Sequence, residues 1–253
     1  MIMMKCIFVI AIYSAAYLST RPFMGDVLDK DYVKNNNLTQ IIKTDSSEAT
    51  QGMVWRTLYK FNAEGLVVEK KEEGKETLTT VYTYDKNGNM TESKTNRPDG
   101  SMYVSEKMVY DVKNRLQESV IRKLAEKVTI TDKVEWVDEN TRHTTRVTNG
   151  TTTRFLNAYD DKKHLIDETF ENGKGITWVY DGDLLLMQKQ KGGAPNIERY
   201  EYDDKQRVNL IENNYSRKAF NYDSAGRLIS TNKKDENERT IAWERYEYTP
   251  SSY

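Results

Sequence analysis

A tyrosine–aspartate pair recurs along this 253-residue chain at nearly even steps, and this repeat limits the folds that are open to it. We place an anchor on the aromatic residue of each pair or on the residue that replaces it. Self-similarity with a period of roughly 20 to 30 residues is typical of arrays in which each unit packs on its neighbours. The anchors are Phe61, Tyr84, Tyr110, Val137, Tyr159, Tyr180, Tyr202, Tyr222 and Tyr248, of which Phe61 and Val137 are degenerate and Tyr248 is truncated.

The residues before each anchor alternate in polarity, which indicates a strand with one buried face. The position two residues before the anchor is aromatic or methionine in seven of the nine units, and the residue between is usually polar, as in Phe220-Asn221-Tyr222. A spacing of two puts both apolar side chains on one face of a strand. This alternation predicts half-buried strands rather than helices.

Each anchor is followed by a turn signal and then by a return strand. The aspartate can accept hydrogen bonds from backbone N–H groups two residues on. The fourth residue after the anchor is Gly65, Gly88, Gly226 or Asn114 in four units, which suits a positive φ in a hairpin loop. Apolar residues then resume, and a second turn such as Asn149-Gly150 leads to the next unit. The units therefore predict about sixteen to eighteen strands.

Two units fit this turn less well. Lys163 and Gln206 occupy the position that is glycine or asparagine elsewhere, so we expect strained turns or turns of another type there. Short loops force consecutive strands to be antiparallel neighbours. The sequence predicts an all-β fold, an antiparallel meander of β-hairpin repeats over residues 55–253 that forms a curved, coiled or partly closed sheet.

The first 54 residues lack the repeat. Residues 1–18 combine a basic start, thirteen residues without charge and small residues near the end, which is the pattern of a signal peptide. This run is shorter than the roughly twenty residues that span a bilayer, so we expect export and no membrane insertion after cleavage, with an uncleaved anchor as the alternative. Residues 19–54 are expected to cap the first sheet edge or to form a partly disordered leader.

The single cysteine supports a bacterial location. Cys6 lies inside the predicted signal peptide, so the exported chain would contain no disulfide. A large exported protein without disulfides fits the periplasm or the cell surface of a bacterium better than an animal secretory route.

The unit Tyr-Asp-x-x-Gly-Arg-Leu resembles the YD repeat, also called the RHS repeat. Residues 222–228 (YDSAGRL) match it fully, and residues 84–90 (YDKNGNM), 110–116 (YDVKNRL) and 202–208 (YDDKQRV) match it in part. The resemblance covers residues 55 to 250 and implies a short exported member of the family, built from β-hairpins. Large members form hollow shells around a toxin domain, and others are implicated in carbohydrate binding or cell contact. With eight or nine units, we expect no closed shell and no cargo here.

Composition and motifs exclude several functions. The net charge is −1 with both signs mixed along the chain, and a basic stripe for a nucleic acid is missing from the sequence. Neither a nucleophile elbow nor a phosphate loop nor a dinucleotide fingerprint occurs, so we predict no enzyme, no cofactor and no metal site. His164, in a turn, and His143, on a strand, are expected at the surface. The acidic pairs Asp160-Asp161 and Asp203-Asp204 lie where the turn itself calls for an aspartate.

The positions of three tryptophans in the repeat predict their surroundings. Trp178 falls in register with the buried aromatic ladder and is expected in the core. Trp136 and Trp243 fall outside this register and are the candidate partner-binding residues. The sequence thus predicts an exported non-enzymatic binding protein for a protein or a glycan, one form of which is an immunity protein against a periplasmic toxin. The alternatives are a carbohydrate-active hydrolase that uses two turn carboxylates, and a structural fragment of a larger assembly.

Overall fold

The computed structural model describes residues 30–48, 51–193 and 196–251, so the predicted signal peptide lies outside the described residues. These residues form one short helix and eighteen strands. In chain order they are α1 (Lys30–Asn35), β1 (Leu38–Ser47), β2 (Trp55–Phe61), β3 (Val67–Glu73), β4 (Thr77–Tyr84), β5 (Met90–Asn96), β6 (Met102–Tyr110), β7 (Leu116–Lys123), β8 (Val128–Trp136), β9 (Thr141–Thr148), β10 (Thr151–Tyr159), β11 (Leu165–Phe170), β12 (Gly175–Asp181), β13 (Leu184–Lys191), β14 (Ile197–Tyr202), β15 (Val208–Glu212), β16 (Ser216–Tyr222), β17 (Leu228–Asp235) and β18 (Thr240–Pro250).

Every strand pairs antiparallel with the next one in the chain, so the predicted all-β meander is confirmed. The expectation of a coiled or partly closed sheet was wrong. Strand β18 also pairs with β1, and β1 pairs with β2, so the sheet closes into an eighteen-stranded barrel. Within the described part of the chain, no helix has both the length and the apolar character to cross a membrane.

Closure depends on a strand from outside the repeat. Lys43 of β1 is opposite Tyr246 of β18 on one side and opposite Thr57 of β2 on the other. A single strand thereby pairs both edges that the array of repeats would leave open, and unpaired edges are the usual sites of aggregation. The sequence of β1 carries no Tyr-Asp signal, which is why the repeat alone did not predict a closed sheet.

A β-bulge lies beside seven of the turns that follow the anchors, with its extra residue on the return strand. In the β4–β5 pair, Thr83 is opposite Glu92 whereas the next residue, Tyr84, is opposite Met90, so Thr91 is the extra residue. The same shift occurs before Phe61, Tyr110, Tyr159, Tyr180, Tyr202 and Tyr222. Because a bulge re-aims the side chains that follow it, the ring and the first apolar residue of the return strand both point into the barrel.

The interior of the barrel is apolar near these turns. Three clusters of buried side chains follow one another around the ring, and Trp178 belongs to one of them, as predicted. Helix α1 closes part of this end, since Val33 is fully buried against Phe61 and Leu228. Gly65, with φ +80°, lies directly under the helix, and a Cβ there would come within 2.1 Å of the carbonyl oxygen of Lys30.

Candidate binding surface: the turn rim

We define the turn rim as the end of the barrel at which the turns that follow the anchors lie. The first of these turns joins β2 to β3, the next joins β4 to β5, and every second hairpin belongs to this rim up to the turn that joins β16 to β17. The opposite rim carries the other hairpins. In most repeats the aspartate after the anchor closes its own turn. Asp111 Oδ1 accepts hydrogen bonds from the backbone N–H groups of Lys113 and Arg115, at 2.8 and 2.9 Å, and Oδ2 accepts one from Arg115 Nε at 2.8 Å. The predicted bond to the residue two positions on is confirmed.

The fourth residue after the anchor has a positive φ in the six turns that have five residues between their strands, as the turn signal predicted. Gly88 has φ +82° and Asn114 has φ +60°. Lys163 and Gln206 adopt the same conformation, with φ +68° and +60°, and keep the same backbone hydrogen bonds, so their turns are not of another type. A side chain with a Cβ in the left-handed region costs roughly 1 kcal/mol, which is the strain that was expected at these two positions.

In six repeats the ring at the end of the strand donates a hydrogen bond to the repeat before it. Tyr84 donates its hydroxyl hydrogen to the carbonyl oxygen of Val67 at 2.7 Å, and Tyr110 donates to Met90 at 3.0 Å. We call this row of rings the ring ladder. The same bond joins Trp136 to Leu116, Tyr202 to Leu185, Tyr222 to Val208 and Tyr248 to Leu228.

Where the motif has its arginine, this side chain links the turn to the next ring. Arg207 forms an ion pair with Asp203 of its own turn, and its guanidinium carbon lies 4.4 Å from the centre of the Tyr222 ring. Arg227 likewise pairs with Asp223 and lies over Tyr248. A guanidinium over an aromatic face is attracted by the ring's quadrupole. All five characteristic residues of the motif are therefore engaged in holding the fold.

The prediction that His164 is a solvated surface residue was wrong. His164 is 8% exposed and takes the place of the arginine in its repeat. Its Nδ1 lies 2.9 Å from Asp160 Oδ2, and its ring stacks on Tyr180 with centroids 4.6 Å apart. Because an imidazole can both bond a carboxylate and stack on a ring, it performs both contacts that arginine makes elsewhere. His143 is exposed, as predicted.

The two candidate tryptophans lie in different settings. Trp136 belongs to the ring ladder, so the prediction that it falls outside the register was wrong. Its unit has a shorter turn, and alignment on the acidic residue shifted the anchor to Val137. Trp243 lies outside the ladder, opposite Ser46 and Asn232 on the outer face of β18, with Arg245 over its ring at 5.3 Å. The structure does not bring these tryptophans together, and a partner contact by either stays a prediction.

In each turn, the two residues between the aspartate and the residue with positive φ are exposed to solvent and form the turn tip. These turn tips differ from repeat to repeat, and side-chain bonds join neighbouring tips. Asn87 donates to Asn114 at 2.7 Å, and Lys162 donates to Asp183 at 2.8 Å. Two further links complete the row from the β4–β5 turn to the β12–β13 turn, namely Lys113 to Glu139 at 3.8 Å and Asn140 to Asp161 at 3.2 Å.

One apolar feature interrupts this polar row. Val112 at the tip of the β6–β7 turn is fully exposed, and Val109 on the outer face of β6 is 52% exposed. Both line a hollow between this turn and the β4–β5 turn, together with Lys86 and Thr91. The sequence did not predict this feature. A single valine between the aspartate and the asparagine of a turn belongs to no alternating pattern that would indicate its exposure.

The turn carboxylates are held in their ionised form. A hydrogen bond from the Arg207 side chain, with backbone N–H groups, lowers the pKa of Asp203 below its ordinary value. The side-chain amide of Asn89 does the same for the pKa of Asp85. Asp161 and Asp204, the second members of the acidic pairs, are exposed turn tips.

The barrel interior beyond the ring ladder is polar, which the sequence did not reveal. Asn157 is fully buried and donates to Glu168 Oε2 at 3.0 Å, and it accepts a hydrogen bond from Arg142 Nε at 3.2 Å. Glu106 is 1% exposed, and neither of its carboxylate oxygens has a hydrogen-bond partner among the described residues. Burial, with a smaller effect of the charge on Asp132, raises the pKa of Glu106 to about 8.

Comparisons with known proteins leave the family of the chain unassigned. No protein-family model matches the sequence, and no curated protein sequence matches it. A crystal structure of TcdB2-TccC3-Cdc42 is similar with a TM-score of 0.36 and 13% identity over 77% of this chain, which spans only 15% of that chain. A crystal structure of a porin-like protein from Bacteroides uniformis is similar with a TM-score of 0.39 and 7% identity over 85% of this chain and 97% of that chain. Membership of the YD-repeat family stays a prediction from the motif.

Proposed function

We propose that this chain is an exported, non-enzymatic binding protein that holds a macromolecular partner on the turn rim. The observation that carries the proposal is the row of side-chain bonds between neighbouring turn tips. A rim that is already held in one arrangement loses little conformational entropy when a partner binds. Because the tips differ from repeat to repeat, the rim has a pattern of charge that a complementary partner surface can match.

A protein partner fits the rim better than a glycan does. Val112 and Val109 form an apolar centre with Lys86 and Asn87 around it, and an apolar centre within a polar margin is the usual anatomy of a protein interface. Sugar rings are bound by exposed aromatic faces, whereas the rings of the ladder point into the barrel. Trp243 on the outer wall is the candidate glycan contact. A toxin that acts in the periplasm is one such protein partner, and the chain would then be an immunity protein.

The alternative of a hydrolase that uses two turn carboxylates has less support. A glycoside hydrolase needs one carboxyl group that keeps its proton near neutral pH and a second one roughly 5 to 10 Å away. The carboxylates of Asp85 and Asp203 have pKa values below the ordinary range and are committed to their own turns. A structural role within a larger assembly would use the same rim, with another copy of a repeat protein as the partner.

The test compares two exposed apolar residues on opposite rims. Val112 is on the turn rim, and Leu124, which is 49% exposed, is on the opposite rim between β7 and β8. The exported chain is immobilised and incubated with envelope proteins of its host, the captured protein is identified by mass spectrometry, and its purified form is titrated against the chain. We expect V112D to weaken binding at least about tenfold and L124D to leave it unchanged. Equal affinity of both variants, or no saturable partner, would overturn the proposal.

A further inference from the structure

Two lysines lie directly opposite each other on the inner face of the barrel. Lys218 of β16 is paired in register with Lys233 of β17. On its other side Lys218 is opposite Ile211, which is buried, and Lys233 follows the buried Thr231 by two residues, so both lysines point inward. Like charges directly opposite on neighbouring strands destabilise a sheet unless a counter-charge lies between them.

Among the described residues, only one of these lysines has a carboxylate within salt-bridge distance. Lys218 Nζ donates to Glu244 Oε2 at 2.7 Å. Lys233 makes no hydrogen bond and no ion pair with any described residue. Glu244 is already committed, since it also accepts hydrogen bonds from Thr231 at 2.7 Å and Tyr246 at 3.2 Å. Burial alone would raise the pKa of Glu244, but Lys218 and Lys43 bring it down to about 2.

A second carboxyl group, that of Glu198, is a weak counter-charge for Lys233. Glu198 of β14 faces the same part of the interior, and its hydrogen bond from the Tyr200 hydroxyl is long, at 3.3 Å. Burial raises the pKa of Glu198, and the opposing charges of Lys233 and Lys218 do not cancel this effect. Neither lysine lies within salt-bridge distance of Glu198 in the described structure. Glu198 therefore competes for Lys233 only in part.

The outer face of the same two strands gives an internal comparison. Arg217 is opposite Lys234, one residue along from the inner pair. There the chain supplies the counter-charges, because Glu238 lies 3.1 Å from Lys234 and 3.8 Å from Arg217, and Glu212 lies 3.7 Å from Arg217. The outer like-charge pair is neutralised by the protein, whereas the inner pair has, among the described residues, a single carboxylate within salt-bridge distance, that of Glu244.

Solutes can reach the inner pair from the opposite rim. The two strands before the pair are short, with 6 residues in β14 and 5 in β15, and the hairpin between β15 and β16 lies at that rim. Lys218 is the third residue of β16 from that rim, and 29% of its side-chain surface is accessible. We propose that Lys218 and Lys233 form an anion site inside the mouth of the barrel, which binds a small solute that carries a carboxylate or a phosphate group.

Calorimetric titration of the full exported chain tests this site with three sugars of similar size at constant ionic strength. Glucuronate supplies a carboxylate, glucose 6-phosphate supplies a phosphate, and glucose is the neutral control. Binding of glucuronate alone, of glucose 6-phosphate alone or of both supports the anion site and identifies the group it takes. Failure of both anions to bind, or equal binding of glucose, overturns it.

Three variants test whether the anion binds at Lys218 and Lys233. K233M is expected to weaken binding about tenfold or more, because an ion-paired hydrogen bond is lost. K234M, one residue along and outward, is expected to bind as the parent chain does. E198Q removes the competing carboxylate and is expected to bind at least as tightly as the parent.

A measurement of thermal stability shows whether K233M still folds. Without added anion, K233M is expected to melt no lower than the parent, because the like-charge repulsion is relieved. Added anion should raise the melting temperature of the parent and of K234M but not that of K233M. If the anion raises all three equally, the site is elsewhere and the assignment fails. The site lies away from the turn rim, so this result leaves the proposed partner surface unaffected.

Discussion

The hydroxyl group of Tyr222 donates to the carbonyl oxygen of Val208 at 2.8 Å. Val208 begins β15, the return strand of the preceding repeat, so this bond joins two units independently of the strand ladder. It explains why the anchor of the repeat is a tyrosine and not a phenylalanine. The ring fills the interior, and the hydroxyl satisfies a carbonyl group of the preceding repeat at the bulge.

Removal of this hydroxyl should weaken the barrel. We expect Y222F to lower the free energy of unfolding by about 1 kcal/mol, because one partly buried hydrogen bond is lost while the ring remains. Tyr215, which is 63% exposed in the β15–β16 turn, supplies the control, and Y215F should stay within about 0.5 kcal/mol of the parent. Denaturant unfolding followed by tryptophan fluorescence measures both. Equal effects of the two variants would show that the ladder bond adds no stability.

The strands and turns were predictable because their signals are local. Alternation of polarity and the Asp-to-glycine spacing each act within a few residues, so both could be read from the chain, and Trp178 was placed correctly in the core. Closure was not predictable, since it depends on β1 meeting β18 from the other end of the chain. Trp136 was misplaced because its turn is one residue shorter, which a pattern anchored on the acidic residue cannot register.

The two carboxylates of the acidic pair Asp203-Asp204 have different roles, because the first holds the turn and the second lies on the surface. Asp203 accepts hydrogen bonds from the backbone of Lys205 and Arg207 and pairs with the Arg207 side chain, whereas Asp204 is an exposed turn tip. We expect D203A to lower the melting temperature by several degrees and D204A to leave it unchanged. Because the pKa of Asp203 is lowered in the fold, its contribution is present above its unfolded pKa and is lost as the pH falls through the folded value. Equal melting temperatures for both variants would refute this division.

His164 should be replaceable by the arginine that the motif carries elsewhere. H164A loses the bond to Asp160 and the stack on Tyr180, so we expect it to destabilise the barrel by about 1 to 2 kcal/mol. H164R restores both contacts and should recover most of this loss. H143A, at an exposed position on β9, is the control and should have little effect. If H164R were as unstable as H164A, arginine would not replace the contacts of His164 with Asp160 and Tyr180, and the prediction would be wrong.

The polar interior was hidden from the sequence for a different reason. Glu106 alternates in register with Met108 and Tyr110 on the inner face of β6. A single charged residue in a strand, however, has no spacing that predicts its surroundings. The three-dimensional arrangement shows that it is enclosed without a hydrogen-bond partner among the described residues. Leaving a buried carboxylate unpaired is costly, and protonation is the usual response.

Glu106 should therefore make the barrel more stable in acid than in base. The pKa of its carboxyl group is raised from an ordinary value of 4.5 to about 8 in the fold. Between these two pH values the folded chain holds a proton that the unfolded chain has released. The contribution of Glu106 to stability is therefore highest below about pH 4.5 and falls as the pH rises toward 8. Above that pH both states are ionised and the dependence on this group ends.

E106Q removes this dependence while keeping the size and the neutral form of the side chain. We expect the variant to unfold at the same denaturant concentration as the parent near pH 5 and at a higher one near pH 9, because only the parent must bury a charge there. E135Q, which changes an exposed glutamate on β8, should follow the parent at both pH values. Unfolding curves at a series of pH values decide the matter, and parallel curves for E106Q and the parent would mean that Glu106 finds a partner or a water molecule that keeps it ionised.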